Sequence, residues 1–195
     1  MQNILITGAN RGIGLALTQQ LLANGDRVIA TCRQPRHAGD LTRLNDQFPE
    51  RLTILPLDVT NAASVQAAGN AVQRIVSCLD LLINNAGILD RRETLATFDP
   101  VVMQHTFDVN ATGALRVAAQ FLPLLRGAEQ GKLVNISSQL GSLQKMKAGS
   151  GTLQLQQQQG CPKHDHAHVG FRPGSRGYHC HLPASRLGAN RYGRL

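Results

Sequence analysis

The stretch "NILITGANRGIG", residues 3–14, decides how the chain begins to fold. Ile4, Leu5 and Ile6 form an apolar run of strand length that Gly8 ends. From Gly12 the pattern changes, and Ile13, Leu17 and Leu21 recur at four-residue steps, as along one side of a helix that Gly25 can close. A strand, a glycine turn and a helix in that order make the first half of a βαβ unit. Gly8, Gly12 and Gly14 carry no side chains, so backbone N–H groups can approach a pyrophosphate near the positive helix end. The candidate phosphate-binding set is therefore Gly8, Asn10, Arg11, Gly12, Ile13 and Gly14. The spacing G-x-x-x-G-x-G departs from the more general dinucleotide fingerprint G-x-G-x-x-G, and alone it also fits an ordinary glycine turn.

Beyond this unit the alternation continues. "RVIATCR", "LTILPLDV", "LDLLINNAG" and "GKLVNISS" read as four more strands, with helices between them around 38–48, 62–76 and 101–126. Five βα units in register predict an α/β, Rossmann-like, doubly wound parallel sheet.

The 195 residues are 42% hydrophobic and 16% charged, which suits one α/β domain, and no apolar run is long enough to span a bilayer. Met1 is followed at once by the first strand, without a basic, apolar and small-residue leader pattern, so the expected location is the cytoplasm. Cys32, Cys78, Cys161 and Cys180 show no close repeated spacing, and no disulfide framework is expected. The net charge of +8 is uneven. Residues 1–150 hold 14 Lys/Arg against 11 Asp/Glu, whereas 151–195 hold 6 against 1 and five of the seven histidines. The basicity belongs mostly to the tail, which argues against a nucleic-acid partner. The break lies near 149–152, and two units are expected: 1–150, a nucleotide-binding Rossmann domain, and 151–195, an irregular tail.

Further motifs turn the moderate signal of the first turn into a specific one. "TGANRGIG", "LDV" at 57–59, "NNAG" at 84–87, "DVNATG" at 108–113 and "NISS" at 135–138 occur in this order. On them, residues 1–150 resemble the short-chain dehydrogenase/reductase family, most closely its C-factor and sniffer-like carbonyl reductase branch. The resemblance implies that Asp58 and Val59 hold the adenine ring, that Asn84, Ala86 and Gly87 line the cofactor beyond the fourth strand, and that Asn110 and Ser138 are catalytic. It also implies a small carbonyl or alcohol substrate and a homo-oligomer for the intact fold; the lack of a bilayer-length apolar run leaves no membrane partner expected.

Charge then bears on the cofactor. NAD-dependent enzymes usually place an acid after the second strand, whereas a 2′-phosphate needs cations. Arg33 follows that strand here, Arg11 sits inside the glycine turn and Arg36 is close behind, which predicts NADP(H). The competing reading of Arg33 and Arg36 is that of solvated loop charges.

The family further demands a Tyr-x-x-x-Lys on the helix after Ser138. Tyr exchanges a proton at the substrate oxygen, and the Lys ammonium lowers a phenol pKa that otherwise lies near ~10. Four residues apart on a helix, the two share one face. Neither is present: Tyr178 and Tyr192 are the only tyrosines, and neither has Lys four places on. The glutamine run suggests why. Read one base later, Gln codons give Asn or Ser, Gln followed by Gly permits Lys, and Leu followed by Gln permits Tyr. "LQLQQQQG", residues 153–160, thus permits Tyr-x-x-x-Lys, and the same frame continued through the tail permits an amphipathic helix, a strand and a Pro-Gly loop. Residues from about Thr152 onward are therefore read as the frame-shifted translation of a reductase gene.

Two expectations follow from that shift. The catalytic helix and the last strands are missing or irregular, which leaves the fifth strand as a sheet edge. The histidines and cysteines at 161–168 and 179–181 fit no standard zinc spacing, and no evolved metal site is expected. The leading function is an NADP(H)-dependent carbonyl reductase or alcohol dehydrogenase impaired in this chain. The alternative is a non-catalytic nucleotide-binding or signalling protein.

Overall fold

The computed structural model of the chain describes residues 1–89, 95–137 and the backbone of 168–170. Ser138, the composition break near Thr152 and the tail's cysteines lie outside the described residues. The order is β1 (Asn3–Thr7), α1 (Gly12–Ala23), β2 (Arg27–Cys32), α2 (Gly39–Gln47), β3 (Leu52–Pro56), α3 (Ala62–Gln73) and β4 (Leu81–Asn84). It continues with α4 (Pro100–Phe107), a π-helical turn (Asp108–Thr112), α5 (Gly113–Arg126), β5 (Lys132–Asn135) and β6 (His168–Gly170). Short 3₁₀ turns lie at Pro35–His37 and Leu95–Thr97.

The sheet runs β3-β2-β1-β4-β5-β6. The first five strands are parallel, with Ile4 opposite both Val28 and Leu81. This is the doubly wound arrangement that the strand–helix alternation predicts. The edge is a departure from expectation. β6 pairs antiparallel with β5, Leu133 opposite Val169, so β5 has a neighbour on both sides.

Burial explains why the strands read as continuous apolar runs rather than alternating ones: a parallel sheet is covered on both faces. Ile4, Leu5 and Ile6 are all 0% exposed, yet they serve different cores. Leu5 joins Val65, Val72, Val117 and Phe121 on the α3/α5 face, and Ile4 and Ile6 join Leu22, Leu41 and Leu44 on the α1/α2 face. Period-two alternation within a buried strand thus sorts neighbours into opposite layers.

The helix boundaries follow local chemistry. Asn61 caps α3 by accepting from the Ser64 N–H at 3.0 Å, and Asp99 caps α4 from Val101 N at 2.8 Å with Pro100 in the first position. At the end of α1, Gly25 takes φ +92, the Asp26 N–H reaches Leu21 O at 3.1 Å and the Gly25 N–H reaches Leu22 O at 3.0 Å. This paired closure needs a left-handed residue, which glycine supplies without steric cost. The face of α1 differs by one position from the sequence reading. Its buried residues are Gly14, Thr18 and Leu22, Leu17 and Leu21 pack partly against the core, and Ile13 is 57% exposed. The physical reason is close approach, since a Cβ on Gly14 would stand 2.4 Å from Gly8 O. The contact stripe is therefore set by the smallest residue rather than the most apolar one.

Among the described residues no helix is long and apolar enough to cross a membrane. Cys32 and Cys78 are free thiols.

Phe121 is among the largest fully buried side chains and sits where α5 meets the sheet. Phe121→Ala should cost about 3–5 kcal/mol of folding stability, the usual toll of an aromatic-sized cavity. Urea unfolding of both proteins checks this, and a loss below about 1 kcal/mol would mean that the α3/α5 layer collapses around the gap.

Candidate functional site

In an open parallel sheet the ligand crevice lies beyond the carboxyl ends of the strands, where the strand order reverses. Here that point falls between β1 and β4, the central pair from which the chain winds outward in both directions. The glycine turn and "NNAG" meet there.

Their junction is held by Thr7 and Asn85. Thr7 Oγ1 accepts hydrogen bonds from the N–H groups of Asn85 and Ala86, both at 3.0 Å. In return Asn85 Nδ2 donates to the carbonyls of Thr7 at 2.9 Å and Gly8 at 3.0 Å. The turn is pressed so closely onto β4 that a Cβ on Gly8 would lie 2.9 Å from Ala86 Cα, and Gly8 has φ +65. Gly12 also has positive φ, +56, but nothing lies within 4 Å of where its Cβ would be. Gly8 and Gly14 are thus glycines for packing, whereas Gly12 faces open space at the start of α1. Arg11, in the N-cap position, makes no side-chain cap there, and the first turn of α1 carries no acid. Its leading N–H groups and positive dipole end therefore face outward without a competing carboxylate, which fits a pyrophosphate.

β2 and β3 finish side by side, with Cys32 opposite Pro56, and are followed by exposed Arg33 and part-buried Asp58. Asp58 Oδ1 accepts from Thr60 N at 2.9 Å and Thr60 Oγ1 at 2.7 Å, while its own N–H donates to Ser64 Oγ at 2.9 Å. Burial works against its charge. The two Thr60 hydrogen bonds and the positive charges of Arg33 and His105 outweigh it and hold the carboxyl below the usual aspartate range. Val59 is buried beside it.

Asn84, Gly87 and Asn110 organise the exit from β4. Asn84 is 6% exposed. Its Nδ2 donates to Ala114 O at 3.0 Å and Asn135 Oδ1 at 2.9 Å, tying β4 to α5 and β5, and its Oδ1 is the buried side-chain acceptor without a partner among the described residues. It thus lies beneath the crevice, whereas Gly87 is exposed at its surface. Asn110, in the π turn, holds Ile88 with both side-chain atoms: Oδ1 accepts from Ile88 N and Nδ2 donates to Ile88 O, each at 2.8 Å. The segment after Gly87 is thereby fixed against the helix. A π turn of this kind recurs at functional sites because it re-aims backbone and side chains within a helix.

The structure therefore packs Gly8 against Ala86 and Gly14 against Asn85, with Asn10, Arg11, Gly12 and Ile13 in the chain between the two glycines, sets Gly87 beside Asn110, and places Arg33, Asp58 and Val59 just past the ends of β2 and β3. Ser138 follows β5 and lies outside the described residues. Three contributors carry no motif of their own in the sequence reading. Thr7 stands inside "TGANRGIG", and Thr60 completes an Asp-x-Thr turn that its residue types could have signalled. Arg116 lies 57 residues from the backbone that it holds, and nothing local announces it. Among the described residues no three His, Cys, Asp or Glu side chains cluster as metal ligands.

The family profile for short chain dehydrogenases matches residues 2–150. The short-chain dehydrogenase anuI of Penicillium roqueforti is 35% identical over 144 residues, which are 72% of this chain and 57% of that protein. Among solved structures, the carbonyl reductase Sniffer of Caenorhabditis elegans is 33% identical with a TM-score of 0.75, over 82% of this chain and 74% of that one. The carbonyl reductase from chicken fatty liver, solved with NADPH bound, is 38% identical with a TM-score of 0.69, over 74% of this chain and 60% of that one. The chain belongs to the short-chain dehydrogenase family, and its structural neighbours include carbonyl reductases of the sniffer kind. A nicotinamide dinucleotide is the cofactor that this family uses. The chain spans 57% and 59% of the first two curated relatives that it matches.

The Asp58 carboxylate yields a pH signature. Its folded pKa is depressed, so it contributes stability above the unfolded value near ~4 that is lost as pH falls through the folded value. Asp58→Asn should therefore be less stable than the parent at pH 6–7, with the gap closing as pH falls below about 4. Urea midpoints across that range would show it, and a gap independent of pH would place the carboxylate outside the stabilising set.

Proposed function

We propose that residues 1–150 form the nucleotide-binding unit of an NADP(H)-dependent oxidoreductase that interconverts small carbonyl compounds and alcohols. The carrying observation is the open crevice at the β1/β4 reversal, where Gly12 faces free space and no acid occupies the first turn of α1. Bound there, the dinucleotide supplies or accepts the hydride at its nicotinamide ring. The backbone from Gly8 to Gly14 meets the pyrophosphate, Asp58 and Val59 meet the adenine, and Ala86 and Gly87, with Asn84 beneath them, border the chain of the cofactor toward the nicotinamide.

Exposed Arg11 and Arg33 flank the adenosine ribose position, and that charge favours a 2′-phosphate over free hydroxyls. The NADPH-bound chicken carbonyl reductase supports the same choice by similarity. Ser138 would polarise the substrate carbonyl. Asn110, whose side chain also holds Ile88, would hold a water relay. Proton exchange at the substrate oxygen needs the Tyr and Lys that this chain lacks, so we read its activity as impaired and residues from about Thr152 as a frame-shifted tail. Exposed Val101, Phe107 and Leu115 on α4 and α5 support pairing of two copies through these helices in the intact fold.

A second reading draws on the same absence: a nucleotide-binding or signalling protein that keeps the crevice without the chemistry. One comparison separates the two. The chain as it stands should reduce aldehydes or ketones with NADPH about 10²–10⁴ times more slowly than a version whose frame is restored after Thr152, the usual cost of losing a general acid. Equal turnover by both would overturn the catalytic roles assigned here, and inactivity of both would favour the binding reading.

Cofactor choice has its own check. In the restored protein, Arg33→Asp should weaken NADPH binding by about tenfold or more and favour NADH, because a carboxylate repels the 2′-phosphate and accepts from free ribose hydroxyls. Fluorescence titration with both dinucleotides measures this, and an unchanged preference would remove Arg33 from the ribose site.

A further inference from the structure

We propose that Arg116 is a positioning residue for base recognition, acting through the Asp58–Val59 turn; the idea rests on the assignment of that turn to the adenine ring. Arg116 Nη1 donates to the Val59 carbonyl, and Nη2 contacts Asp108 Oδ1 at 3.2 Å. One guanidinium therefore joins the turn after β3 to the π turn that carries Asn110. Its planar fork suits two acceptors held at a fixed angle, which a lysine ammonium does not reproduce.

A second contact brings the same two elements together. A Cβ on Gly113 would lie 2.8 Å from Val59 Cγ2 and 2.9 Å from Asp108 O, so the first residue of α5 is pressed against both Val59 and the π turn. Steric contact fixes how near Val59 can come, and the Arg116 hydrogen bond fixes how its peptide is turned. Since the Asp58 carboxylate is oriented within the turn by Thr60, the direction it faces in the crevice depends on how the turn as a whole is tied down. Ser64 holds that turn from α3 and Arg116 holds it from α5.

The role is positional rather than electrostatic. The charge of Arg116 is met by Asp108, with side chains 26% and 36% exposed, while the charges acting on Asp58 come from Arg33 and His105. The π turn makes the pairing possible. Asp108 and Arg116 are eight positions apart, about 80° out of alignment on a regular α-helix, and the residue that a π turn inserts brings them close to the seven-residue repeat of one face.

Adenine recognition through its 6-amino group is the readout. The full chain is titrated with NADPH and with its hypoxanthine analogue, in which a carbonyl oxygen replaces that amino group. The parent should favour the adenine form. In Arg116→Met, which keeps the length but loses the donors, the ratio of the two affinities should fall by roughly tenfold, the scale of one misaligned hydrogen bond to a charged group. Arg116→Lys should recover part of the ratio, and serves alone if the methionine variant does not fold. A general loss of structure would weaken both ligands together and leave the ratio unchanged. That unchanged ratio, in a parent that does discriminate, overturns the role of Arg116. A parent that binds NADPH but does not discriminate overturns the Asp58 assignment, and this proposal with it; a parent that binds neither overturns the nucleotide-binding reading itself.

Discussion

Everything at the crevice depends on one hydroxyl. Thr7 Oγ1 receives two successive backbone N–H groups, those of Asn85 and Ala86, just where β1 and β4 end. Strand ends at this point have no further ladder to join, and unpaired N–H groups in a part-buried position are costly. By accepting both, Thr7 lets β4 turn away sharply while it stays pinned to β1, and Asn85 closes the arrangement from the other side through the Thr7 and Gly8 carbonyls. The glycine turn can then lie so close to Ala86 that no side chain fits at Gly8. At Gly12, by contrast, nothing lies within 4 Å of where a Cβ would be.

Two scaffolds support that junction. On the α1/α2 face the core reaches it through Ile6, Ala9 and Leu22, and on the α3/α5 face through Leu5, Val109 and Val117. Asn84 links the second of these to β5 from beneath. Rigid strand ends carrying exposed turns are a common way to place binding groups with precision.

The parallel sheet was readable because its cause is local: apolar runs of strand length recur five times, with four stretches of helical spacing between them. The motif residues were readable for a related reason, since a turn that approaches a ligand needs glycine and leaves a visible spacing. What escaped the sequence was set by distance. The stripe of α1 shifted from Ile13 to Gly14 because backbone approach from Gly8 took precedence over hydropathy. The antiparallel β6 against β5 could not be read from "HVG", three residues without strand periodicity around them. Arg116 looked like any surface cation on an amphipathic helix, and its partner Val59 is identified only once α5 is laid over β3's exit. The side chain of Asn110 turned out to serve Ile88, a contact 22 residues away that no spacing rule encodes.

The π turn between α4 and α5 carries one last consequence. From Pro100 to Arg126 the backbone stays helical, with Asp108, Thr112 and Gly113 all near φ −62. What the turn changes is phase. One surplus residue rotates everything downstream by about 100° relative to an uninterrupted helix. Gly113, Arg116, Val117 and Phe121 therefore share a common offset, and a single deletion within Asp108–Thr112 would swing the whole inner face of α5 off the sheet at once. The length of this segment is consequently held by the core as well as by the crevice, which makes it far less tolerant of a lost or gained residue than of a changed one.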